Sequence, residues 1–233
     1  LTILNHQCLI ATKASRVVYA AQGDGIMEFG LRRAQGPDAG LYGARAAVIG
    51  GCVGTSNVLA GEMFDVPVMG THAHSWIMTF KDEYTAFKEY ARLYPDACTL
   101  LVDTYDTLKS GVPNAIRVFT EMREAGIKPK SYGIRLDSGD LAYLSKKARK
   151  MLDDAGFQDA VIAASNDLDE FLIHDLKMQG AAISSWGVGT NLITSKDCPS
   201  FGGVYKLAAI QNAEGKFQPK IKISENIEKI TNP

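Results

Sequence analysis

Tyr132-Gly133-Ile134-Arg135-Leu136-Asp137-Ser138-Gly139-Asp140 is the stretch whose reading decides the fold. Residues 132–136 form a short apolar run ending on a carboxylate, which reads as a buried strand meeting a turn. The segment after it spaces Leu141, Leu144, Ala148, Met151 and Ala155 at helical period and stops at Gly156. The same unit recurs on both sides. Upstream, Thr99 to Val102 is a strand ending in Asp103, and a helix from Pro113 to Ala125 opens with proline and closes at Gly126. Downstream, Ala160 to Ala164 ends in Ser165-Asn166-Asp167 ahead of a helix from Leu168 to Gln179, and Ala182 to Trp186 ends in Gly187-Val188-Gly189-Thr190-Asn191. Strands alternating with helices imply parallel pairing through right-handed crossovers, so these consecutive units predict an α/β barrel or a doubly wound sheet.

Further out, a helix is expected from about Leu1 to Ala21, then a strand at Met27-Glu28-Phe29 leading into a basic loop with Arg32 and Arg33. A helix follows from Asp38 to Ile49. Cys52 to Asn57 is a strand-to-turn, and Asn57 to Phe64 a short helix. Val66 to Met69 reads as a strand that turns at Gly70-Thr71-His72-Ala73-His74-Ser75-Trp76, followed by a helix from Lys81 to Tyr94. At the far end, Gly203 to Gln211 and Phe217 to Ser224 form an expected hairpin around Glu214-Gly215 that departs from the βα rhythm. The expected division is therefore an α/β core over 1–202 and a β-rich extension over 203–233.

Composition narrows the classes. A chain of 233 residues with 46% hydrophobic content can bury one large α/β core or two small ones. A formal net charge of -1 gives no electrostatic reason to expect nucleic acid or an anionic membrane as partner. The run Lys146-Lys147 with Arg149-Lys150 is most simply a solvated helix face. Cys8, Cys52, Cys98 and Cys198 are widely spaced without a Cys-x-x-Cys, which argues against a zinc ribbon or disulfide scaffold and for a reducing, cytoplasmic setting. No apolar run is long enough for a membrane span, and no signal-peptide layout opens the chain. Leu1 to Leu4 begins inside a helical pattern, and Glu225 to Pro233 stops without a terminating one, so an excised piece of a longer protein is expected.

Chemistry-bearing residues gather at strand ends, where α/β folds meet their ligands. His72 and His74 are two of four histidines, and imidazole suits a base or nucleophile near neutral pH, although hydrogen-bonding loop histidines and metal-binding His-x-His pairs share the pattern. Arg135 and Asp137 project from the same side of a strand, beside Ser138 and Asp140. A salt-bridged pair is the bland reading; binding of a ribose diol or a magnesium-bound pyrophosphate is the sharper one. Gly187-x-Gly189-Thr190 resembles a turn whose amides cradle phosphate, a common and individually weak signal. An arginine near Phe29 could pair a carboxylate while the ring packs on an aromatic substrate.

Taken together, FGLRRAQGPDAG (29–40), GTSNVLAG (54–61), GTHAHSW (70–76), VDTYDT (102–107), IRLDSGDL (134–141), SNDLDE (165–170), WGVGTNL (186–192) and GGVYKL (202–207) closely resemble, in order and spacing, the nicotinate phosphoribosyltransferase family. The resemblance implies the irregular α/β barrel of the type II phosphoribosyltransferases, usually homodimeric with sites at the subunit boundary. It implies formation of nicotinate mononucleotide and pyrophosphate from nicotinate and phosphoribosyl pyrophosphate, with Mg2+, and with ATP acting through a phosphorylated histidine. By position that histidine is His74, with His72 its neighbour. Phe29 resembles the residue stacked on the pyridine ring, Arg32 and Arg135 the arginines near the ring and phosphoribosyl group, and Asp137 the carboxylate on the ribose and magnesium side. Asn166 corresponds to a ribose or phosphate contact, and Gly189 and Thr190 to the cradle of the 5-phosphate. Lys206 matches a phosphate contact at a dimer edge, with a solvated strand lysine an equal reading. Ser56 stands where the related nicotinamide enzyme has an Asp; a hydroxyl can donate to a nicotinate carboxylate that an Asp would repel.

Three rival readings stay open on the sequence. A quinolinate phosphoribosyltransferase would call for more basic residues on the strands. A phosphosugar aldolase or isomerase should show a strand-end Lys or Glu base, which the four central strands lack. A non-catalytic piece that binds phosphoribosyl ligands without turnover would share every motif.

Overall fold

The computed structural model describes residues 1–223 and 225–226; the last residue of the second expected β stretch, 224, and the terminal residues 227–233 lie outside it. In chain order the elements are α1 (Thr2–Ala20), β1 (Gly25–Glu28), a 3-10 turn (Leu31–Arg33), α2 (Pro37–Ile49), β2 (Gly54–Thr55), α3 (Val58–Phe64), α4 (His74–Met78), α5 (Glu83–Leu93) and β3 (Ala97–Leu101). A π-helical turn (Thr107–Gly111) then leads into α6 (Val112–Glu124), β4 (Ser131–Leu136), α7 (Leu141–Asp154), β5 (Val161–Ala164), α8 (Glu170–Met178), β6 (Ser185–Val188), α9 (Thr190–Ile193), β7 (Ala209–Gln211) and β8 (Phe217–Pro219).

The six strands β2-β1-β6-β5-β4-β3 form one parallel sheet, curled into half a barrel. The first strand of the chain lies beside the last of the series, Gly25 opposite Ser185 and Glu28 opposite Val188. This closure brings the loops after β1 and β6 together. Trp186, Phe87, Leu100, Leu101, Ile134, Leu136, Leu152 and Ile162 are fully buried between sheet and helices. Short carboxylate and amide side chains start the helices where the sequence puts them: Asn57, Asp82, Asp140 and Asp169 each accept a hydrogen bond from a backbone N–H three residues on. Each such cap stabilises its helix by about 1 kcal/mol. Among the described residues no helix is long and apolar enough to cross a membrane.

Four local expectations are corrected. Asp140, expected as a second carboxylate at the end of β4, is the cap of α7, its Oδ1 accepting from the Tyr143 N–H at 2.9 Å. Val66 to Met69 does not form a full strand; it makes a single parallel bridge, Val68 to Thr55, because β2 offers only two residues and Pro67 has no N–H to donate. The last strand of the series is Ser185–Val188 rather than 182–186, so Gly187 lies within β6. In the C-terminal hairpin, among the described residues, only Ala209–Gln211 and Phe217–Pro219 pair, antiparallel, with Gly215 at φ +78 in the turn.

Candidate active site

The carboxyl ends of β1, β2, β4, β5 and β6 converge on a cleft of about 510 Å³. Phe29, Arg32, Ser56, His74, Arg135, Asp137, Asn166, Gly189 and Thr190 all line it. Lys206 does not; it is exposed on the irregular segment ahead of β7. The curled sheet thus gathers sequence candidates up to 161 residues apart, Phe29 to Thr190.

His74 opens α4 and is partly exposed. Its Nδ1 is 3.1 Å from the Thr104 hydroxyl, and its Nε2 lies 3.6 Å from Asp137 Oδ2 and 3.9 Å from Asp103 Oδ1. Asp103 is held by the Asp137 N–H at 2.9 Å and the Ser138 hydroxyl at 2.5 Å, both on Oδ2. That leaves its buried Oδ1 without a hydrogen-bond partner. The Ser165 hydroxyl donates to Asp137 Oδ1, so the other Asp137 oxygen turns toward the imidazole. The second carboxylate of the site therefore comes from β3, and sequence reading missed both it and Thr104. The available signal was that Asp103 ends its strand as Asp137 ends the next.

His72 behaves differently from His74. It is 7% exposed, accepts from the Leu101 N–H through Nε2 at 3.3 Å, and packs edge-on against Tyr90 with ring centroids 4.5 Å apart. Burial, aided by the positive field of Arg135 and His74, lowers its pKa to about 4 against a backbone hydrogen bond that raises it. The folded protein therefore holds His72 neutral while the unfolded chain protonates it below about 6.5. The stability this gives is fully present above that value and is lost as pH falls toward 4. Between pH 7 and pH 5 the loss is about 2 kcal/mol. Urea unfolding at the two pH values should show it as a difference in slope between the wild type and H72Q.

Arg135 takes its place from this buried histidine, donating from Nη2 to the His72 carbonyl at 3.1 Å. Its guanidinium carbon is 6.0 Å from the centroid of the Phe29 ring. Burial draws its pKa below the usual arginine range, and the charges of Asp137 and Asp103 work in the opposite direction. A largely desolvated guanidinium between two carboxylates and an aromatic face is suited to an anionic, ring-bearing ligand.

Phe29 is set by β6. Its N–H donates to the Val188 carbonyl at 2.8 Å, and a Cβ on Gly187 would sit 2.5 Å from its ring carbons. Glu28, which sequence reading passed over, is fully buried beneath it. It accepts from the Thr55 hydroxyl at 2.6 Å and from the Gly30 N–H, and burial raises its pKa. The Ser56 N–H donates to the Glu28 carbonyl at 3.0 Å, so the ends of β1 and β2 hold Phe29 and Ser56 in fixed relation. Across the cleft, Asn166 and Asp167 adopt φ of +92 and +39, costing about 1–3 kcal/mol each. Asn191 braces this loop, donating to the carbonyls of Asp167 at 2.8 Å and Leu168 at 3.0 Å.

Among the described residues no cluster of three or more His, Cys, Asp or Glu side chains is arranged to hold a metal ion. Asp103 and Asp137 could still contribute carboxylate oxygens to a magnesium ion whose other ligands are water and substrate phosphate, the usual way that ion is bound.

The model of the nicotinate phosphoribosyltransferase (NAPRTase) family matches residues 25–232. The chain belongs to this family. It is 59% identical over 233 residues to nicotinate phosphoribosyltransferase of Bacillus subtilis, all of this chain aligning with 46% of that protein. It is 41% identical over 279 aligned positions to the Dictyostelium discoideum nicotinate phosphoribosyltransferase, again all of the chain with 46% of the relative. The crystal structure of human nicotinic acid phosphoribosyltransferase superposes with a TM-score of 0.72 at 30% identity, covering 79% of this chain and 47% of that one. The chain spans about half the length of the curated relatives it matches. The expected fold, the irregular α/β barrel of the type II phosphoribosyltransferases, is observed as its six-stranded half-barrel, with a small antiparallel sheet at the C-terminal end.

Proposed function

We propose that this chain carries the strand-end machinery for ATP-driven transfer of phosphoribose from phosphoribosyl pyrophosphate to nicotinate, giving nicotinate mononucleotide and pyrophosphate in NAD salvage. The observation that carries the reading is His74 held between Thr104 and the carboxylates of Asp103 and Asp137, in the same cleft as Arg135 and Phe29. Thr104 occupies Nδ1, which leaves Nε2 as the nitrogen to attack the terminal phosphorus of ATP; the bond to the bridging oxygen breaks and ADP leaves. In the transfer itself, pyrophosphate departs from C1 of the ribose as the pyridine nitrogen attacks. No base is required, because that nitrogen carries no proton. Catalysis comes from alignment and from charge placed where the leaving group develops it.

The ring is read as stacked on Phe29, its carboxylate near Arg32 and Ser56, and the phosphoribosyl group as spanning Arg135, Asp137, Asn166, Gly189 and Thr190. Asp137 and Asp103 would hold Mg2+, which when bound neutralises charge on the phosphates. A homodimer, with Lys206 at its edge, and a cytoplasmic location belong to the same proposal.

The test is incubation of the chain and its H74A variant with γ-labelled ATP and Mg2+, followed by mapping of acid-labile, alkali-stable phosphate. Label on the wild type that is absent from the variant supports the reading; no label on either counts against it. Two substitutions probe the ring site by steady-state kinetics. S56D places a carboxylate beside that of nicotinate and is expected to lower kcat/KM for nicotinate by about 10- to 100-fold, with nicotinamide use rising relative to it. G187A drives a methyl group into the Phe29 ring and is expected to raise KM for nicotinate about tenfold, while labelling of His74 by ATP persists.

A further inference from the structure

The cleft loops after β5 and β6 carry Asn166, Gly189 and Thr190, and neither loop is held by the sheet alone. Each leads to a carboxylate that reaches the same side chain of the N-terminal helix, directly after the β5 loop in one case and beyond α9 in the other. Lys13, in the middle of α1 and 3% exposed, lies 2.7 Å from Glu170 Oε2 and 2.6 Å from Asp197 Oδ1. Glu170 is the first residue of α8, directly after the loop at 165–169; Asp197 follows α9, whose first residue is Thr190. Arg16, one turn along α1, repeats the pairing from the surface, at 2.8 Å from Glu170 Oε1 and 3.2 Å from Asp197 Oδ2.

The backbone leading into each anchor is strained. Asn166, Asp167 and Ser195 have φ of +92, +39 and +45, and such conformations persist only where surrounding contacts over-determine them. Asn191 ties the two loops together through the carbonyls of Asp167 and Leu168. The position of α9 is felt on the opposite wall as well, where Ile193 packs so closely on Gly30 that a Cβ there would lie 2.3 Å from Ile193 Cβ. One buried carboxylate, Glu170, and one part-exposed carboxylate, Asp197, meet at a single buried ammonium, and the joint holds one arrangement because withdrawing Lys13 would leave the buried Glu170 charge without its buried partner.

We propose that Lys13, backed by Arg16, is a positioning residue that locks the β5–α8 and β6–α9 loops in register, setting the spacing between Asn166 and Gly189-Thr190 on the phosphoribose side of the cleft. The inference rests on the functional reading above. It assigns to a helix outside the cleft a preferential effect on one substrate: loosening the joint disperses the groups around the phosphoribosyl moiety most, reaches Phe29 only through the Ile193–Gly30 contact and the sheet bond to Val188, and leaves Ser56 and His74, which are held by other elements, in place.

The experiment is steady-state kinetics and thermal unfolding on the complete natural enzyme and its K13M and D197N variants. Asp197 is part-exposed, so D197N frees the turn after α9 without burying an unpaired charge, and it keeps the test decisive if K13M fails to fold. The expected result for D197N is a KM for phosphoribosyl pyrophosphate raised about 3- to 10-fold, with KM for nicotinate and γ-phosphate labelling of His74 within about twofold of wild type and an unchanged unfolding midpoint. Where K13M folds, its shift should be larger and in the same direction. Unchanged KM values in D197N, or equal shifts for both substrates, overturn the inference while wild-type turnover leaves the functional reading standing. A wild-type enzyme that forms no nicotinate mononucleotide overturns that reading and this inference with it.

Discussion

Replacing His74 with alanine is expected to abolish transfer of label from γ-labelled ATP to the protein and to lower kcat/KM for nicotinate mononucleotide formation by about 10²- to 10³-fold in the presence of ATP, or about 3–4 kcal/mol of transition-state stabilisation. The imidazole is partly exposed at the start of a short helix, and its removal leaves no cavity in the core, so the unfolding midpoint should stay where it is. That separates loss of chemistry from loss of fold. The neighbours should grade the effect. T104V removes the oxygen on Nδ1 but not the nucleophile, and slower labelling without abolition is expected, by about tenfold. A variant H74A that retains ATP-dependent rate enhancement would remove the central element of the proposed mechanism.

The second large effect is expected at Arg135. R135A should lower kcat/KM by about 10³-fold or more, because a desolvated guanidinium aimed at developing phosphate charge is worth about 4 kcal/mol in such sites. R135K should recover only a small part of this, since an ammonium keeps the charge but cannot reach the His72 carbonyl and a phosphate oxygen with the same planar fork. The loss should fall on kcat and on KM for phosphoribosyl pyrophosphate together. Because Arg135 is part-buried and its charge offsets those of Asp137 and Asp103, removing it also leaves the two carboxylates without their cation, so pre-steady-state labelling of His74 is the control that the cleft still forms. Full labelling with full turnover in R135A would exclude the assigned role.

Much of the site was legible because parallel α/β folds expose one end of every strand in sequence as a short apolar run followed by a polar residue. His74, Arg135, Asp137 and Thr190 stood out in this way and Asn166 through the family resemblance, and they share a cleft. Where the reading failed, the residue's neighbours were remote. Asp140 and Asp103 are both strand-following aspartates; one caps a helix and the other faces His74, and only the path of β3 beside β4 separates the two cases. Gly187 looked like a turn glycine because its partner across the sheet, β1, lies about 160 residues earlier, and it is the Phe29 ring at the end of that strand that requires a residue without a Cβ. Glu28 was passed over because a single carboxylate in an apolar run carries no local sign of being buried on Thr55 and Gly30.

By itself, the sequence determined the alternation of strands and helices, the helix start at Asn57, those near Asp82 and Asp169 to within a residue or two, and the polar strand ends, since each depends on periodicity or on hydrogen bonds a few residues long. The tertiary structure alone decided that β1 closes against β6, that His72 is buried neutral while His74 faces two carboxylates, and that Lys13 joins loops beginning more than 150 residues away. These outcomes depend on which distant groups share a low-dielectric space, and desolvation and pairing act between groups that meet only once the chain has folded.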